Sequence, residues 1–571
     1  MTTQYEGGYF MLPEPLVRGY GAHAHTAKDT TKLSYYTVES VNLIQNTAWS
    51  VNTFILDLIK DFQTDGLNIE VGDDMLLRLE KPEKPEHGRL PDAVWRNMDK
   101  EARKQVKLER ARELEKFDED NGVWMATERV IAVAEEMAHY EKFYFPHNLD
   151  FRLRIYPIPS DLNPQSSDLS KGMLKFQQGT RLGADGVYWL AFNVASHWGE
   201  DRLHPDDRVR FVMGADLIEG HALAEMVAWV DNPYVNRGWM EADKPFQFLA
   251  AAYEWVWSQR LGNPESYVSY LPGSLDGSCN GAQHLSILMR DEVGAIATNC
   301  SSSPVRHDLY MEVADRVWEV VQRQAAEGNA EALHWVPKMK EAAKRRKVVK
   351  RAVMTTPYGV SHYGVAKFMV SDKFVEKHEW AEAKYMRDRI IEAINSTLAK
   401  GRELQEYFSL CAGLVAQAKK PLQWDTPAGS KVTQAYRNLV ASRVKTLNTK
   451  FYVYAEDNDA MGYDLGKSQT AAPPNVIHSC DAAHLQMTVV RMAQAGIRNF
   501  SMVHDSFGCP MAQVGLMRDI LRQTAVDMYQ DDYLAIWKAS VEHYTGVSLP
   551  EPPPKGSFDL NEILRSEYFF S

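Results

Sequence analysis

Residues 276–291 read Asp276-Gly277-Ser278-Cys279-Asn280-Gly281-Ala282-Gln283-His284-Leu285-Ser286-Ile287-Leu288-Met289-Arg290-Asp291. An aspartate follows the strand-like run Tyr267 to Leu271, and the glycine after it leaves the backbone open to an approaching ion. A second acidic point lies far downstream in His504-Asp505-Ser506-Phe507-Gly508. There the alternation of Phe500, Met502 and His504 predicts a strand, with a turn at Ser506–Gly508 that suits a β-hairpin. Between the two, seven of the twelve residues from Lys340 to Arg351 are Lys or Arg. The four-residue spacing of Arg346 and Lys350 puts both on one helical face, a surface that can grip a triphosphate. Pro357 ends that helix, so Tyr358 stands at its mouth beside Gly359.

Each feature has a plainer reading when taken alone. An isolated Asp-Gly is usually a turn, a single histidine is usually a core residue, and a Lys/Arg run is usually a solvated face. Taken together they describe a chemistry. Transfer of a phosphoryl group onto a hydroxyl needs charge neutralised at the attacking and leaving oxygens, which two metal ions held by carboxylates supply. Mg²⁺ takes few protein carboxylates alongside water and phosphate oxygens, so two aspartates suffice.

Bulk properties bound the rest. At 571 residues the chain is long enough for several cooperating lobes. With 45% hydrophobic and 25% charged residues it has the composition of a globular protein, and no apolar run has the length of a membrane span. The opening residues lack a secretory pattern, which predicts a cytoplasmic location, in a bacterium or another reducing compartment. Five cysteines without metal-ligand spacing indicate neither a zinc site nor a disulfide framework. A net charge of −12 excludes a protein that coats duplex DNA with its general surface, so any nucleic acid must meet a local basic channel.

Along the chain, periodicity predicts one amphipathic helix from Thr37 to Phe62, then two long helices, Asp92 to about Asp118 and Val123 to Phe143, forming a projecting hairpin. Further helices are predicted at Arg208–Val230 and Pro245–Ser258, with helical regions over His307–Thr356 and Ser371–Leu414. Strand-like segments surround Val432, Phe451–Tyr454 and Phe500–Val503. The fold class is α+β with helices in the majority.

In order, these segments resemble the A, B and C motifs of the single-subunit, phage-type RNA polymerases, a family that includes the mitochondrial enzymes. Asp276–Asp291 resembles motif A, Arg346–Gly359 motif B and Val503–Gly508 motif C. The likeness extends to Asp150–Tyr156, Ser170-Lys171-Gly172, Trp424–Pro427, Asn475–Ser479 and Asp559–Leu564, spanning nearly the whole chain. The resemblance implies a right-hand polymerase with an antiparallel palm sheet: an N-terminal segment 1–29, a helical thumb 30–145, a palm from 146–298 and 484–530, fingers 299–483 and a C-terminal segment 531–571 that returns toward the site. It implies that Asp276 and Asp505 bind two Mg²⁺ ions, with the Gly277 carbonyl as a further ligand. Arg346, Lys350 and Arg351 would hold the incoming nucleotide, Lys350 being the best candidate to donate a proton to pyrophosphate. Tyr358 and His478 would select a sugar bearing a 2′-hydroxyl. Arg152, Arg154 and Lys171 would line the path of template and transcript, and His504 would pack beside the primer terminus. The implied partners are a DNA template, nascent RNA and ribonucleoside triphosphates.

Two departures from the family pattern shape further expectations. Leu153 stands where the family's arginine motif has glycine, which predicts a different local backbone. The chain starts at a point resembling the middle of its relatives, without their large N-terminal domain, and the segment matching the promoter-reading hairpin (446–470) carries Glu456-Asp457-Asn458-Asp459 near its expected tip. Acidic groups repel phosphate, so initiation is expected to need a partner protein or an already opened, single-stranded template. The competing readings are a family A-like DNA polymerase and a catalytically silent nucleic-acid binder. Against the first, Gly and Asn occupy motif A where a sugar-blocking glutamate is usual, and Ser506 stands where motif C continues with glutamate. Against the second, binding alone requires no metal ligands.

Overall fold

The computed structural model describes residues 3, 6–9, 11–18, 32–71, 74–85, 92–214, 223–446, 449–456 and 462–571. It is helix-rich α+β, and its paired strands run antiparallel. Among the described residues no helix is long and apolar enough to cross a membrane.

The single helix expected over Thr37–Phe62 is instead two, Tyr35–Gln45 and Thr53–Thr64. Between them Trp49–Val51 forms a strand paired with Leu174–Phe176. The apolar positions suit both periods, and pairing with a distant segment decides between them. The expected helical hairpin is one helix, α1 (Lys100–Met137), capped by Asp99, which accepts from the Ala102 amide at 2.7 Å. At 38 residues it is about 57 Å long. Gly122 sits inside it with open space around it; one mid-helix glycine costs only about 1 kcal/mol, too little to break a run without proline.

The Arg208–Val230 prediction resolves into Pro205–Met213 and Leu223–Asp231, with 215–222 outside the described residues. Helices α2 (Gly183–Trp198) and α3 (Pro245–Arg260) lead to strand β1 (Pro272–Asp276), which enters α4 (Asn280–Met289). The helical region expected over His307–Thr356 holds three helices, separated at Gly328 and at the Lys340-Glu341 step: α5 (Leu309–Ala326), Ala330–Met339 and α6 (Ala342–Thr355). Ser371–Leu414 likewise divides into Trp380–Thr397 and Ala399–Gln417.

Strands β2 (Leu439–Lys445) and β3 (Lys450–Glu456) form a hairpin. Its turn lies between Lys445 and Lys450, and Glu456 pairs with Leu439 at the opposite end of the ladder. The acidic tip expected there is therefore replaced by a lysine-flanked one, and Asp457–Asp459 lie outside the described residues. Helix α7 (Leu465–Gln494) keeps its course through Pro473 and Pro474. The chain then forms β4 (Ser501–Val503), β5 (Ser506–Pro510) and α8 (Val514–Gln530).

One three-stranded sheet positions the site, in the order β1-β5-β4. Pro272 opens β1, which is an edge strand, the place where a missing N–H is tolerated. Beneath the sheet a large core joins residues from the N-terminal helices, α2, α3, α4, α7 and α8. A second core is built from α5, α6 and the following helices to Leu398. Leu404 to Cys411 and Val476 to Val489 pack into the first core.

Candidate active site

The two aspartates meet because β1 pairs with β5. Asp276 is opposite Ser506 in that ladder, one residue from Asp505. The turn between β4 and β5 is His504-Asp505 itself, with Ser506–Gly508 already in the strand, which corrects the expected turn position. His504 adopts φ +53° there. The Gly277 amide donates to the Asp505 carbonyl at 3.2 Å, tying the two acidic segments together through the backbone.

Both aspartates line a cavity of about 770 Å³, together with Gly277, Lys171, Arg154, Arg346, Lys350, Tyr358 and His504. Burial pushes the Asp505 carboxyl up to about 7, and the neighbouring Asp481 and Asp276 charges add to the shift. Such a pair of unneutralised acidic groups suits a divalent cation. The Gly277 carbonyl accepts from the Cys279 amide at 3.0 Å and keeps a second lone pair for an ion. Among the described residues no cluster of three or more His, Cys, Asp or Glu side chains forms a closed metal cage. Two carboxylates and a carbonyl would be a donor set that fits Mg²⁺ keeping water and phosphate oxygens as its other ligands.

The opposite wall comes from α6. Lys350 is exposed to the cavity, and its ammonium has no partner among the described residues. Arg346 is different: its Nε donates to Asp308 Oδ2 at 2.7 Å. Asp308 Oδ1 caps α5, accepting from Tyr310 and Met311 amides at 3.0 and 3.1 Å. One carboxylate thus ends a helix and aims a guanidinium, leaving both terminal nitrogens of Arg346 for a ligand. Arg351 is not brought to the cavity. Its guanidinium ion-pairs with Asp372 and lies 4.2 Å from the centre of the Phe368 ring, because position 351 falls on another helical face.

Tyr358 reaches the cavity from the 3₁₀ turn Thr356–Tyr358 that ends α6. Its ring stacks on His478 with centroids 4.3 Å apart and planes inclined 22°. A Cβ at Gly281 would lie 2.8 Å from Tyr358 Cζ, so α4 needs glycine there to let the tyrosine seat. Arg154 lies 5.9 Å from the centre of the same ring and donates through Nε to Asp481 Oδ2 at 2.9 Å. Burial raises the Asp481 carboxyl, but Arg154 and the surrounding histidines outweigh that and hold it below its ordinary range. Arg152 is bound to Asp150 and to His478. These two arginines are therefore held in ion pairs behind the tyrosine; Arg154 lines the cavity and Arg152 stands behind it. Burial, then Lys244, lower the Lys171 ammonium, while Asp276 opposes the shift.

His504 packs edge-on against Tyr156 with ring centroids 4.7 Å apart. Burial and the Arg154 charge lower it to about 4. Leu153, where a different backbone was expected, has φ +72°. This is the left-handed conformation that glycine adopts freely, and the residue is 1% exposed. The Leu153 amide donates to Asp150 at 2.9 Å and its carbonyl accepts from Gln486 at 2.9 Å.

Several contributors escaped the sequence reading. Asp308 carried an N-cap signal, an aspartate before an apolar-periodic run. Asp481 inside α7 carried none. The C-terminal segment returns toward the site as expected: the Ser571 N–H donates to the Asp276 carbonyl at 3.1 Å and the Phe569 carbonyl accepts from Gln283 at 2.9 Å.

A model of the DNA-dependent RNA polymerase family matches residues 180–547. DNA-directed RNA polymerase 1, mitochondrial, of Arabidopsis thaliana is 32% identical over 584 residues, covering 99% of this chain and 57% of the relative. DNA-directed RNA polymerase 1B, mitochondrial, of Nicotiana tabacum is 31% identical over 588 residues, covering 99% and 56%. The chain spans about half the length of the curated relatives it matches. A solved structure, the POL domain of Pol1 from M. smegmatis in complex with DNA primer-template and dNTP, is 15% identical and aligns at a TM-score of 0.27 over 61% of this chain and 62% of that one, too distant to carry an argument. Matched by the family model over well more than half its length, the chain belongs to the DNA-dependent RNA polymerase family.

Proposed function

We propose that this chain performs DNA-templated RNA synthesis, joining ribonucleoside triphosphates by attack of a 3′-hydroxyl on the α-phosphate with release of pyrophosphate. The observation that carries the reading is the convergence of Asp276 and Asp505 on one cavity facing Arg346, Lys350 and Tyr358. Asp276, Asp505 and the Gly277 carbonyl would hold two Mg²⁺ ions. When bound, such ions neutralise charge on the attacking and leaving oxygens.

The chain's own groups do the rest. Lys350, unpaired and exposed, meets the triphosphate and is placed to give a proton to the departing pyrophosphate. Arg346, aimed by Asp308, presents its two terminal nitrogens to phosphate oxygens in the forked geometry that suits them. Tyr358 supports the new base pair, and with His478 it senses the 2′-hydroxyl. His504 and Arg154 border the primer terminus, and Lys171 faces the same space across Asp276.

In this reading the thumb is 30–145, the palm 146–298 and 484–530, and the fingers 299–483, with 399–483 anchored in the palm's core. The family's nucleic acids, DNA template and nascent RNA, would be the partners. The protein is assigned to the cytoplasm of a phage-infected bacterium, with the virion as the alternative; the mitochondrial and chloroplastic locations in the relatives' names are the other option, and cell fractionation separates them. Initiation is assigned to a single-stranded or opened template, or to a partner protein. Lys445 and Lys450, not acidic residues, flank the hairpin's turn, so a comparison of a single-stranded circle with linear duplex decides it.

Extension of an RNA primer on a DNA template with Mg²⁺ tests the central reading. The wild-type chain is expected to extend with ribonucleotides and Asp505→Ala to bind template without extending. Equal use of deoxynucleotides by the unaltered chain would overturn the assignment.

A further inference from the structure

Behind the Tyr358–His478 stack sits a polar assembly that nothing in the reaction itself requires. Arg152 Nη1 lies 2.9 Å from His478 Nδ1. The guanidinium is held from its other side: Nε and Nη2 donate to Asp150 Oδ2 at 2.9 and 2.6 Å. The other carboxylate oxygen, Asp150 Oδ1, accepts from the backbone amides of Arg152 and Arg154 at 2.8 and 3.1 Å. Asp150 therefore fixes both ends of the short loop that carries the arginine. The left-handed Leu153 within that loop, φ +72°, turns the backbone so that both amides can reach one oxygen.

An arginine has five N–H donors and no acceptor. A ring nitrogen 2.9 Å from Arg152 Nη1 must therefore accept, and a neutral imidazole that accepts at Nδ1 carries its proton on Nε2. Nε2 has no protein partner among the described residues. The ring is buried, at 9% exposure, and stacked on Tyr358, so it cannot turn over to exchange its nitrogens without leaving the stack. Burial, with the Arg154 and Arg152 charges, lowers the imidazole to about 2, which keeps it neutral.

We infer that Arg152, oriented by Asp150, is a positioning residue for sugar selection, locking His478 in the tautomer that donates from Nε2 to the substrate's 2′-hydroxyl. The inference rests on the proposed function. A hydroxyl meets this donor as an acceptor; a deoxyribose offers nothing, and the donor is left unpaired in a buried place, which penalises the wrong sugar. Without Arg152 the ring can place its proton on either nitrogen, and the tautomer with a bare Nε2 no longer distinguishes the sugars in the same way.

Two measurements on the full chain test this. In protein carrying ¹⁵N-histidine, with His478→Gln to assign the signal, the wild-type ring is expected to show protonated Nε2 and bare Nδ1, and Arg152→Met a mixture. This readout needs no catalysis. In primer extension, Arg152→Met is expected to lower the ratio of kcat/KM for ribo- over deoxynucleotide by about tenfold, chiefly by losing ribonucleotide use, and Arg152→Lys, still a cationic donor, to recover part of the ratio. A wild-type His478 protonated at Nδ1 overturns the inference, as does an Arg152→Met protein with undiminished discrimination. If Arg152→Met does not fold, the wild-type tautomer alone decides. A wild-type chain that extends no primer, while its His478 is protonated at Nε2, sinks the proposed function and leaves the tautomer lock standing.

Discussion

The Gly277 amide donates to the Asp505 carbonyl at 3.2 Å, so the residue after one acidic side chain is bonded to the residue bearing the other. The relative position of Asp276 and Asp505 is set by backbone, and side-chain changes at either can alter charge without moving the pair.

Asp505→Asn is accordingly expected to leave the fold intact while reducing single-turnover extension at least about a thousandfold, the scale of losing a principal electrostatic element. Rapid-quench extension alongside a template-binding titration checks this. Parallel loss of template affinity would contradict it.

Lys350 and Arg346 should separate in their effects. Lys350 has no partner to lose among the described residues, so Lys350→Ala should lower kcat/KM for nucleotide while stability stays within about 0.5 kcal/mol. Arg346→Ala strips the cation from Asp308, which is also the cap of α5; it should reduce both activity and thermal stability. Calorimetry and steady-state kinetics on the two variants distinguish the cases.

Gly281→Ala places a methyl 2.8 Å from Tyr358 Cζ and 3.0 Å from Pro357 Cβ. Overpacking of this kind costs about 1–3 kcal/mol, and here the strain is relieved by pushing Tyr358 off His478. The expected result is a lower melting temperature with weakened sugar discrimination. A variant with normal discrimination would show that the tyrosine tolerates the shift.

Leu153→Gly tests which of two opposed effects wins. Removing the left-handed leucine relieves roughly 1–2 kcal/mol of backbone strain, but emptying a fully buried leucine site costs about 2–5 kcal/mol. The variant should be less stable by denaturant titration, although glycine is the better residue for that φ.

Acid should destabilise the protein through buried histidines. Burial holds His147 down to about 4, although its bond to the Phe145 carbonyl opposes this, and holds His284 down to about 3, aided by His484. In the unfolded chain both titrate near 6.5, so below that pH the unfolded state binds more protons and stability falls towards pH 4. Glu254 acts with the opposite sign. Burial raises it to about 7 against the lowering effect of Ser269 and the Tyr270 amide, so the folded state binds the extra proton between about 4.5 and 7 and stability declines as pH rises through that range. Melting curves from pH 4.5 to 8 should show a shallower acid limb for His147→Gln and a gain above pH 7 for Glu254→Gln.

Much of the site was legible because its chemistry is written in short local patterns. Asp276, Asp505, Arg346, Lys350 and Tyr358 were each identifiable beside glycine, at a strand end or on one helical face, and each lines the cavity. Arg351 belongs to the same basic run but points to Asp372; composition attracts attention to a run, and only the helical phase says which of its members face inward. The single helix expected at 37–62 failed for a related reason, since Trp49–Val51 takes its conformation from a partner strand more than a hundred residues away.

The residue types and spacings by themselves determined the acid–base–tyrosine triad, the helix-rich class and the need for a local basic surface, because these follow from charge, periodicity and proline or glycine placement along the chain. Only the tertiary structure decided which ion pairs hold the arginines, that Leu153 takes a glycine's conformation, that lysines flank the hairpin's turn, and that the returning C-terminal segment bonds the Asp276 carbonyl through Ser571. Those outcomes depend on which distant groups come within hydrogen-bonding distance, and a contact between residues hundreds of positions apart leaves no mark on the local pattern of either one.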